Sequence, residues 1–146
     1  MNIFFDVDYT IISYDGTLRP KVREVFEQLK RDGLDIYIWS GMGIRWNVVR
    51  THGLGPFVSG VYEKPIERYA EAVNAMLARQ ELPVRPDFVV DDYPEIVGVF
   101  GGVVVRPFWA VDHRDREIER VYRIVCDYRL KGASVDTAFR PPAVAS

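Results

Sequence analysis

The sequence has 146 residues, of which 48% are hydrophobic and 27% are charged, and this is the composition of one globular domain rather than of a disordered chain. The formal net charge is −2 at pH 7, with acidic and basic residues interspersed, so charge gives no support for a nucleic-acid or anionic-membrane partner. A single cysteine, a start without signal-peptide features and the lack of any membrane-length apolar run predict a cytoplasmic protein without disulfides.

The predicted elements alternate between strands and helices. Residues 2–7 are a nearly continuous apolar run that ends in an acid, which is typical of a strand buried on both faces. Residues 20–31 carry apolar side chains at helical spacing, and Gly33 follows where a helix cap belongs. Further strands are predicted at 34–39, 57–61, 87–90 and 103–108, and further helices at 43–51, 65–79, 94–100 and 112–129. We expect one domain over residues 1–132 and a flexible tail over 133–146.

This alternation predicts a three-layer, Rossmann-like α/β fold with a central, mostly parallel sheet of about five strands. In such sheets, ligands bind beyond the carboxyl ends of the strands, where the strand order reverses. The polar residues that follow the predicted strands are therefore the candidate site, and they are Asp6, Asp8, Ser40, Gly41, Lys64, Asp91, Asp92 and Glu95.

Several carboxylates at one sheet edge need a positive partner, because each pair repels by ~4 kcal/mol at ~4 Å and an effective dielectric of ~20. With no His or Cys near these strand ends, the oxygen ligands favour a hard cation, and Mg²⁺ fits best. Lys64 adds a fixed positive charge, while Ser40 and the N–H groups from Gly41 onward, at a predicted helix start, can bind an anion. Acids for a metal and donors for an anion together indicate phosphate chemistry.

The pair Asp6 and Asp8 suits phosphoryl transfer. A carboxylate with an ordinary pKa of ~3.9 is already ionised and can attack phosphorus without a base, and a metal offsets its repulsion from the phosphate. A second acid must protonate the departing alkoxide. Both side chains can address one centre if the chain leaves strand geometry after Asp6.

At this point the sequence resembles the haloacid dehalogenase superfamily of phosphatases and phosphotransferases, over residues 2–108. The resemblance rests on four motifs in family order, namely Asp6-Val7-Asp8-Tyr9-Thr10, Ser40-Gly41, Lys64, and Asp91-Asp92 with Glu95. It implies that Asp6 is the nucleophile that forms an aspartyl-phosphate and that Asp8 is the general acid and base. It further implies phosphate binding by Thr10, Ser40, Gly41 and Lys64, and Mg²⁺ binding by Asp6, the Asp8 carbonyl, Asp91, and Asp92 or Glu95.

Two features depart from the usual family pattern. Tyr9 stands where the family usually has Gly, and the segments that carry a cap domain in many members are filled here by core elements. An open, capless site suits either a bulky substrate, such as a phosphoprotein, nucleic-acid end or glycan, or a homo-oligomer whose neighbour closes the site.

Residues 11–18 contain a second acidic piece, Asp15-Gly16-Thr17-Leu18, which has no nucleophile two residues upstream. Asp15-Gly16 is a turn signal between two apolar stretches, so it predicts a hairpin flap over the site with Tyr14 at its tip. Tyr14 and Arg45 are the candidate substrate contacts.

The expected function is a magnesium-dependent phosphatase that hydrolyses phosphate monoesters. One alternative is a phosphorylatable receiver domain, but the chain order argues against it. In a receiver, an acidic pair ends the first strand and the phospho-acceptor ends a middle strand, whereas here an Asp-x-Asp pair ends the first strand. The other alternative is a non-catalytic module of the same fold that binds phosphate or metal.

Overall fold

The computed structural model describes residues 1–143, and its elements alternate as the sequence predicts. The strands are β1 (Asn2–Phe5), β2 (Asp35–Ser40), β3 (Val58–Glu63), β4 (Phe88–Asp91), β5 (Gly102–Val104) and β6 (Phe139–Arg140). The helices are α1 (Val22–Arg31), α2 (Trp46–Thr51), α3 (Tyr69–Ala78), α4 (Pro94–Phe100) and α5 (Glu117–Lys131). None of the helices in residues 1–143 combines the length and apolarity needed to cross a membrane.

The sheet has the order β3-β2-β1-β4-β5-β6. Its first five strands are parallel and β6 is antiparallel to β5, which confirms an α/β fold with a mostly parallel sheet. The expectation of about five strands is wrong by one. The sixth strand comes from the segment assigned to a tail, where Phe139 pairs with Val103 and Ala138 is buried. A two-residue strand that depends on a distant partner leaves no periodic pattern in the sequence.

Alternating side chains of β1 divide the core into two parts. Ile3 and Phe5 pack on one face of the sheet with residues of α1, α2 and α5, whereas Phe4 packs on the other face with residues of α3 and α4. Because successive side chains of a strand point to opposite faces, this division places helices on both sides of the sheet.

Three helices begin three or more residues later than the sequence predicts. Helix α2 begins at Trp46 rather than at residue 43, and α3 begins at Tyr69 rather than at residue 65. Gly43, with a φ of 106°, and Arg68, with a φ of 48°, lie in left-handed backbone that cannot continue a right-handed helix. Helix α5 begins at Glu117 rather than at residue 112. The first two delays leave irregular loops after Ser40 and Lys64, and both loops border the site described next.

Candidate active site

The site lies where the strand order reverses, between β1 and β4. Asp6 directly follows β1, and its N–H donates a 2.9 Å hydrogen bond to the carbonyl of Val90 in β4. Asp91 is the last residue of β4, and both aspartates are buried. Parallel strands with this order form a crevice at their carboxyl ends, so the topology itself brings the two carboxyl groups together.

Lys64 joins the two aspartates. It follows β3, and its N–H donates to the carbonyl of Ser40 at 2.9 Å, which extends the pairing of β2 with β3. Its Nζ lies 2.8 Å from Asp6 Oδ1 and 2.9 Å from Asp91 Oδ2. Thr10 is buried, and its hydroxyl donates to Asp6 Oδ2 at 3.0 Å, so Thr10 orients the carboxyl group of Asp6 from the other side.

The electrostatics of this group are strongly perturbed. Burial, followed by the negative charge of Asp91, raises the pKa of Asp6 to about 8, and Lys64 opposes this shift. Burial also raises the pKa of Asp91 to about 6, against the effects of Lys64 and the Tyr93 N–H. Burial lowers the pKa of Lys64, but the charges of Asp6 and Asp91 outweigh it and raise that pKa overall. Without a further cation, the carboxyl groups therefore retain protons well above the usual acid range.

Three carboxyl groups are arranged so that they could hold a metal ion. Asp6, Asp91 and Asp92 each offer an oxygen atom, and these atoms lie within 4.8 Å of one another. An all-carboxylate set fits a hard divalent cation, and such a cation would offset the repulsion that raises the pKa of Asp6. Within the described chain, Asp92 belongs to this group, whereas Glu95 is exposed on the first turn of α4 and lies outside it.

Asp8 is not part of this cluster and forms an ion pair with Arg45. Arg45 Nη1 lies 2.7 Å from Asp8 Oδ2 and donates a longer hydrogen bond of 3.5 Å to the Ser40 hydroxyl. Ser40 is buried at the end of β2, and its Oγ accepts a hydrogen bond from the Met42 N–H at 3.1 Å. Arg45, which the sequence suggests as a substrate contact, is therefore the partner of Asp8.

A cavity of about 350 Å³ opens above these residues. Its polar wall is formed by Asp6, Asp8, Ser40, Gly41 and Lys64, which are all predicted site residues. The rest of its lining was missed by the sequence reasoning and consists of Met42, Pro65, Ile66, Tyr69, Tyr93 and Ile96. A sequence signal exists for three of these six, because Met42, Ile66 and Tyr93 each stand two residues after a predicted polar residue at a strand end.

The turn at residues 11–18 forms, but it does not reach this cavity. Ile12 pairs with Leu18 in an antiparallel bridge, and the N–H of Ser13 donates to the carbonyl of Thr17 at 2.9 Å. Tyr14 is 76% exposed and lies outside the cavity lining, and its N–H instead donates to the carbonyl of Trp109 at 3.1 Å. The structure therefore places Tyr14 against the segment after β5 rather than beside the candidate phosphate site.

A buried arginine fixes the loop that carries Asp8 and Thr10, and sequence reasoning missed it. Arg19 is 1% exposed and forms two hydrogen bonds of 2.8 and 3.0 Å with the carboxyl group of Asp115. It also donates to the carbonyls of Thr10 and Arg106, at 3.2 and 2.8 Å. These contacts span up to 96 residues of sequence, so no local pattern could reveal them.

Comparisons with known proteins return no match, whether to protein-family models, to curated proteins or to solved structures. The geometry of the site therefore carries the functional argument. Its essential features are a lysine shared by two buried aspartates, a third acid beside them, and a fourth acid in the lining of an open cavity.

Proposed function

We propose that this protein is a magnesium-dependent phosphatase of the haloacid dehalogenase type that hydrolyses phosphate monoesters. The observation that carries the proposal is the contact of Lys64 Nζ with both Asp6 and Asp91, at 2.8 and 2.9 Å, beside an open cavity that Asp6 and Lys64 line. A lysine in this position offsets the negative charge of the two carboxyl groups and can bind the phosphoryl oxygens as charge develops on them.

The residues divide the reaction between them. An oxygen of Asp6 attacks phosphorus and the bond between phosphorus and the ester oxygen breaks. In this step Asp8 acts in its protonated form, with the proton on the oxygen that Arg45 does not contact, and gives that proton to the departing alkoxide. Asp8 then takes a proton from water, whose oxygen attacks phosphorus and displaces Asp6, releasing inorganic phosphate. Ser40, the backbone N–H groups of the following turn, and Lys64 hold the phosphoryl oxygens throughout.

Asp6, Asp91 and Asp92 would hold the magnesium ion. When bound, the ion neutralises charge on the phosphate and on the carboxylate that approaches it. Thr10 supports both sides of this set, since its hydroxyl lies 3.0 Å from Asp6 Oδ2 and 3.4 Å from Asp92 Oδ1. The site in this proposal thus uses Thr10 as a positioning residue rather than as a phosphate ligand.

The strand order favours this proposal over a receiver domain. A flavodoxin-like receiver has the order 2-1-3-4-5, in which the second strand lies at the edge. Here β3 is at that edge, and β1 lies between β2 and β4. The acid that Lys64 contacts after β1 is Asp6, which begins an Asp-x-Asp pair. In a receiver, by contrast, the phospho-acceptor ends a middle strand. The remaining alternative is a non-catalytic module that binds phosphate or metal without turnover.

Hydrolysis of para-nitrophenyl phosphate with and without Mg²⁺ tests the proposal. We expect magnesium-dependent release of phosphate that is lost in Asp6→Asn and retained in Asp35→Asn, since Asp35 is exposed at the start of β2. Full activity in a folded Asp6→Asn variant would overturn the proposal. Binding of Mg²⁺ without hydrolysis across a broad panel of esters would support the non-catalytic alternative instead.

A further inference from the structure

We propose that the substrate's leaving group is apolar and about the size of one aromatic ring, and that it occupies the apolar half of the cavity. This inference rests on the proposed function, because it assumes that a phosphoryl group occupies the polar wall. Its basis is a regular arrangement in which loops that supply a polar site residue also supply an apolar side chain.

Three strand ends share this arrangement. After β2, β3 and β4, an apolar or aromatic residue follows the polar site residue at the second position, and five of these six side chains line the cavity, while Asp91 is buried behind Lys64. The pairs are Ser40 with Met42, Lys64 with Ile66, and Asp91 with Tyr93. A phosphate bound by Ser40 and Lys64 would therefore project its ester group among Met42, Ile66 and Tyr93.

Ile66 shows how closely the two halves adjoin. A Cβ atom added to Gly41 would lie 3.1 Å from Cγ2 of Ile66, so the isoleucine packs directly over the backbone of the candidate phosphate-binding turn. Ile66 nevertheless remains 75% exposed, and Met42 is 79% exposed. These side chains lose contact with water only when a ligand covers them, and that burial favours an apolar occupant.

The chemistry of the apolar half argues against a sugar or a second acid as the leaving group. Away from the polar wall, the described lining residues carry neither charge nor amide, and the hydroxyl groups of Tyr69 and Tyr93 are their only side-chain polar groups. A polyhydroxylated group would lose hydrogen bonds to water without replacing most of them. An aromatic or aliphatic group would have no such loss.

The volume of the cavity indicates the size of the part of the ligand that it can enclose. Its volume of about 350 Å³ lies near the lower end of the roughly 300–1,000 Å³ that is typical of small-molecule sites. This space suits a phosphate with one ring attached. An extended polymer would have most of its length outside the cavity.

Matched alkyl esters test the inference without a difference in leaving-group reactivity. Benzyl phosphate and glycerol 1-phosphate both release a primary alcohol, but only the first carries a ring. We expect kcat/KM for benzyl phosphate to exceed that for glycerol 1-phosphate by about tenfold or more, which is the effect of burying one aromatic side chain. Equal values for the two esters would overturn the inference while leaving the phosphatase proposal intact.

Variants locate the preference within the cavity. Ile66→Asn and Met42→Asn should each reduce the ratio of the two kcat/KM values, because a polar group replaces part of the apolar wall. Leu130→Asn is the matched control, since Leu130 is 82% exposed on α5, outside the cavity lining, and this variant should keep the ratio. Far-ultraviolet circular dichroism checks that all three variants fold. Unchanged ratios in both folded cavity variants would also overturn the inference.

A binding experiment separates this inference from the proposed function. Calorimetry with Mg²⁺ present compares benzylphosphonate with methylphosphonate, neither of which can be hydrolysed. We expect benzylphosphonate to bind about tenfold more tightly or better. If no ester is hydrolysed but this preference is seen, the phosphatase proposal fails and the cavity assignment stands for a binding module. Equal affinities for the two phosphonates would refute the assignment, whatever the turnover.

Discussion

Replacing Asp6 by asparagine should stabilise the metal-free protein, and the gain should grow with pH. The side chain keeps its shape and can still accept a hydrogen bond from Lys64, but it no longer brings a negative charge beside Asp91. In the wild type, burial and Asp91 raise the pKa of Asp6 from its ordinary value of 3.8 to about 8. The folded state therefore binds a proton more tightly than the unfolded state does.

The sign and size of the effect follow from this difference. Between the two pKa values, the folded state carries more protons than the unfolded state, so the free energy of unfolding falls as pH rises. Each pKa unit corresponds to about 1.4 kcal/mol, so the wild type should lose up to about 4 kcal/mol through Asp6 between pH 5 and pH 8. A domain of this size shifts its Tm by about 4 °C per kcal/mol. We therefore expect Asp6→Asn to gain up to about 16 °C on the wild type over this range.

Thermal unfolding in EDTA at pH 5 and pH 8 measures the effect. Asp136→Asn serves as the control, because hydrogen bonds from Arg120 lower the pKa of Asp136, and stability from a lowered pKa changes only in more acidic solution. Its Tm difference from the wild type should be the same at both pH values. Excess Mg²⁺ should remove the advantage of Asp6→Asn, since the cation binds the wild-type cluster better. Parallel pH dependences for the wild type and Asp6→Asn would refute the reasoning.

Three further predictions concern other residues in and around the candidate site. Lys64→Met should lower the free energy of unfolding in EDTA at pH 8 by about 3 kcal/mol in urea titrations, because buried carboxylates lose their partner; an unchanged midpoint would contradict this. Arg45→Gln should lower kcat about tenfold by releasing Asp8, whereas Arg50→Gln, exposed in the last turn of α2, should not, and equal kcat values would exclude the positioning role. In urea titrations, Tyr9→Gly should have a free energy of unfolding about 1 kcal/mol higher than that of Tyr9→Ala, because the φ of Tyr9 is 64° and glycine adopts this backbone without strain. The opposite order would show that the backbone is not strained there.

The parts of the site that lie at strand ends could be predicted from the sequence. Asp6, Ser40 and Lys64 each follow or end a short apolar run, and the α/β pattern dictates that such positions share one edge of the sheet. The sequence left Asp92 and Glu95 open as metal ligands. Only the three-dimensional arrangement distinguishes them, because it places Asp92 with Asp6 and Asp91 and leaves Glu95 exposed.

Contacts between distant segments could not be predicted in this way. The pairing of Arg19 with Asp115, and of β6 with β5, joins segments whose own patterns give no sign of a partner. The pairing of Arg45 with Asp8 was missed for a related reason. Residues 41–45 form an irregular loop rather than the start of a helix, and helical spacing says nothing about where Arg45 points from such a loop.

Asp6 and Asp15 show how the fold assigns different roles to one residue type within a single loop. Asp6 is buried beside a second carboxyl group, and its pKa is raised. Asp15 is exposed in a turn, where hydrogen bonds from Ser13 and Thr17 lower its pKa. Asp15 is therefore a stable anion whose bonds are all local, and it closes the turn that leads back to Arg19. Of these two aspartates, Asp6 is the one that has a raised pKa and also lines the cavity. A metal ion bound there would offset the negative charge around Asp6, and the cavity would admit the phosphate.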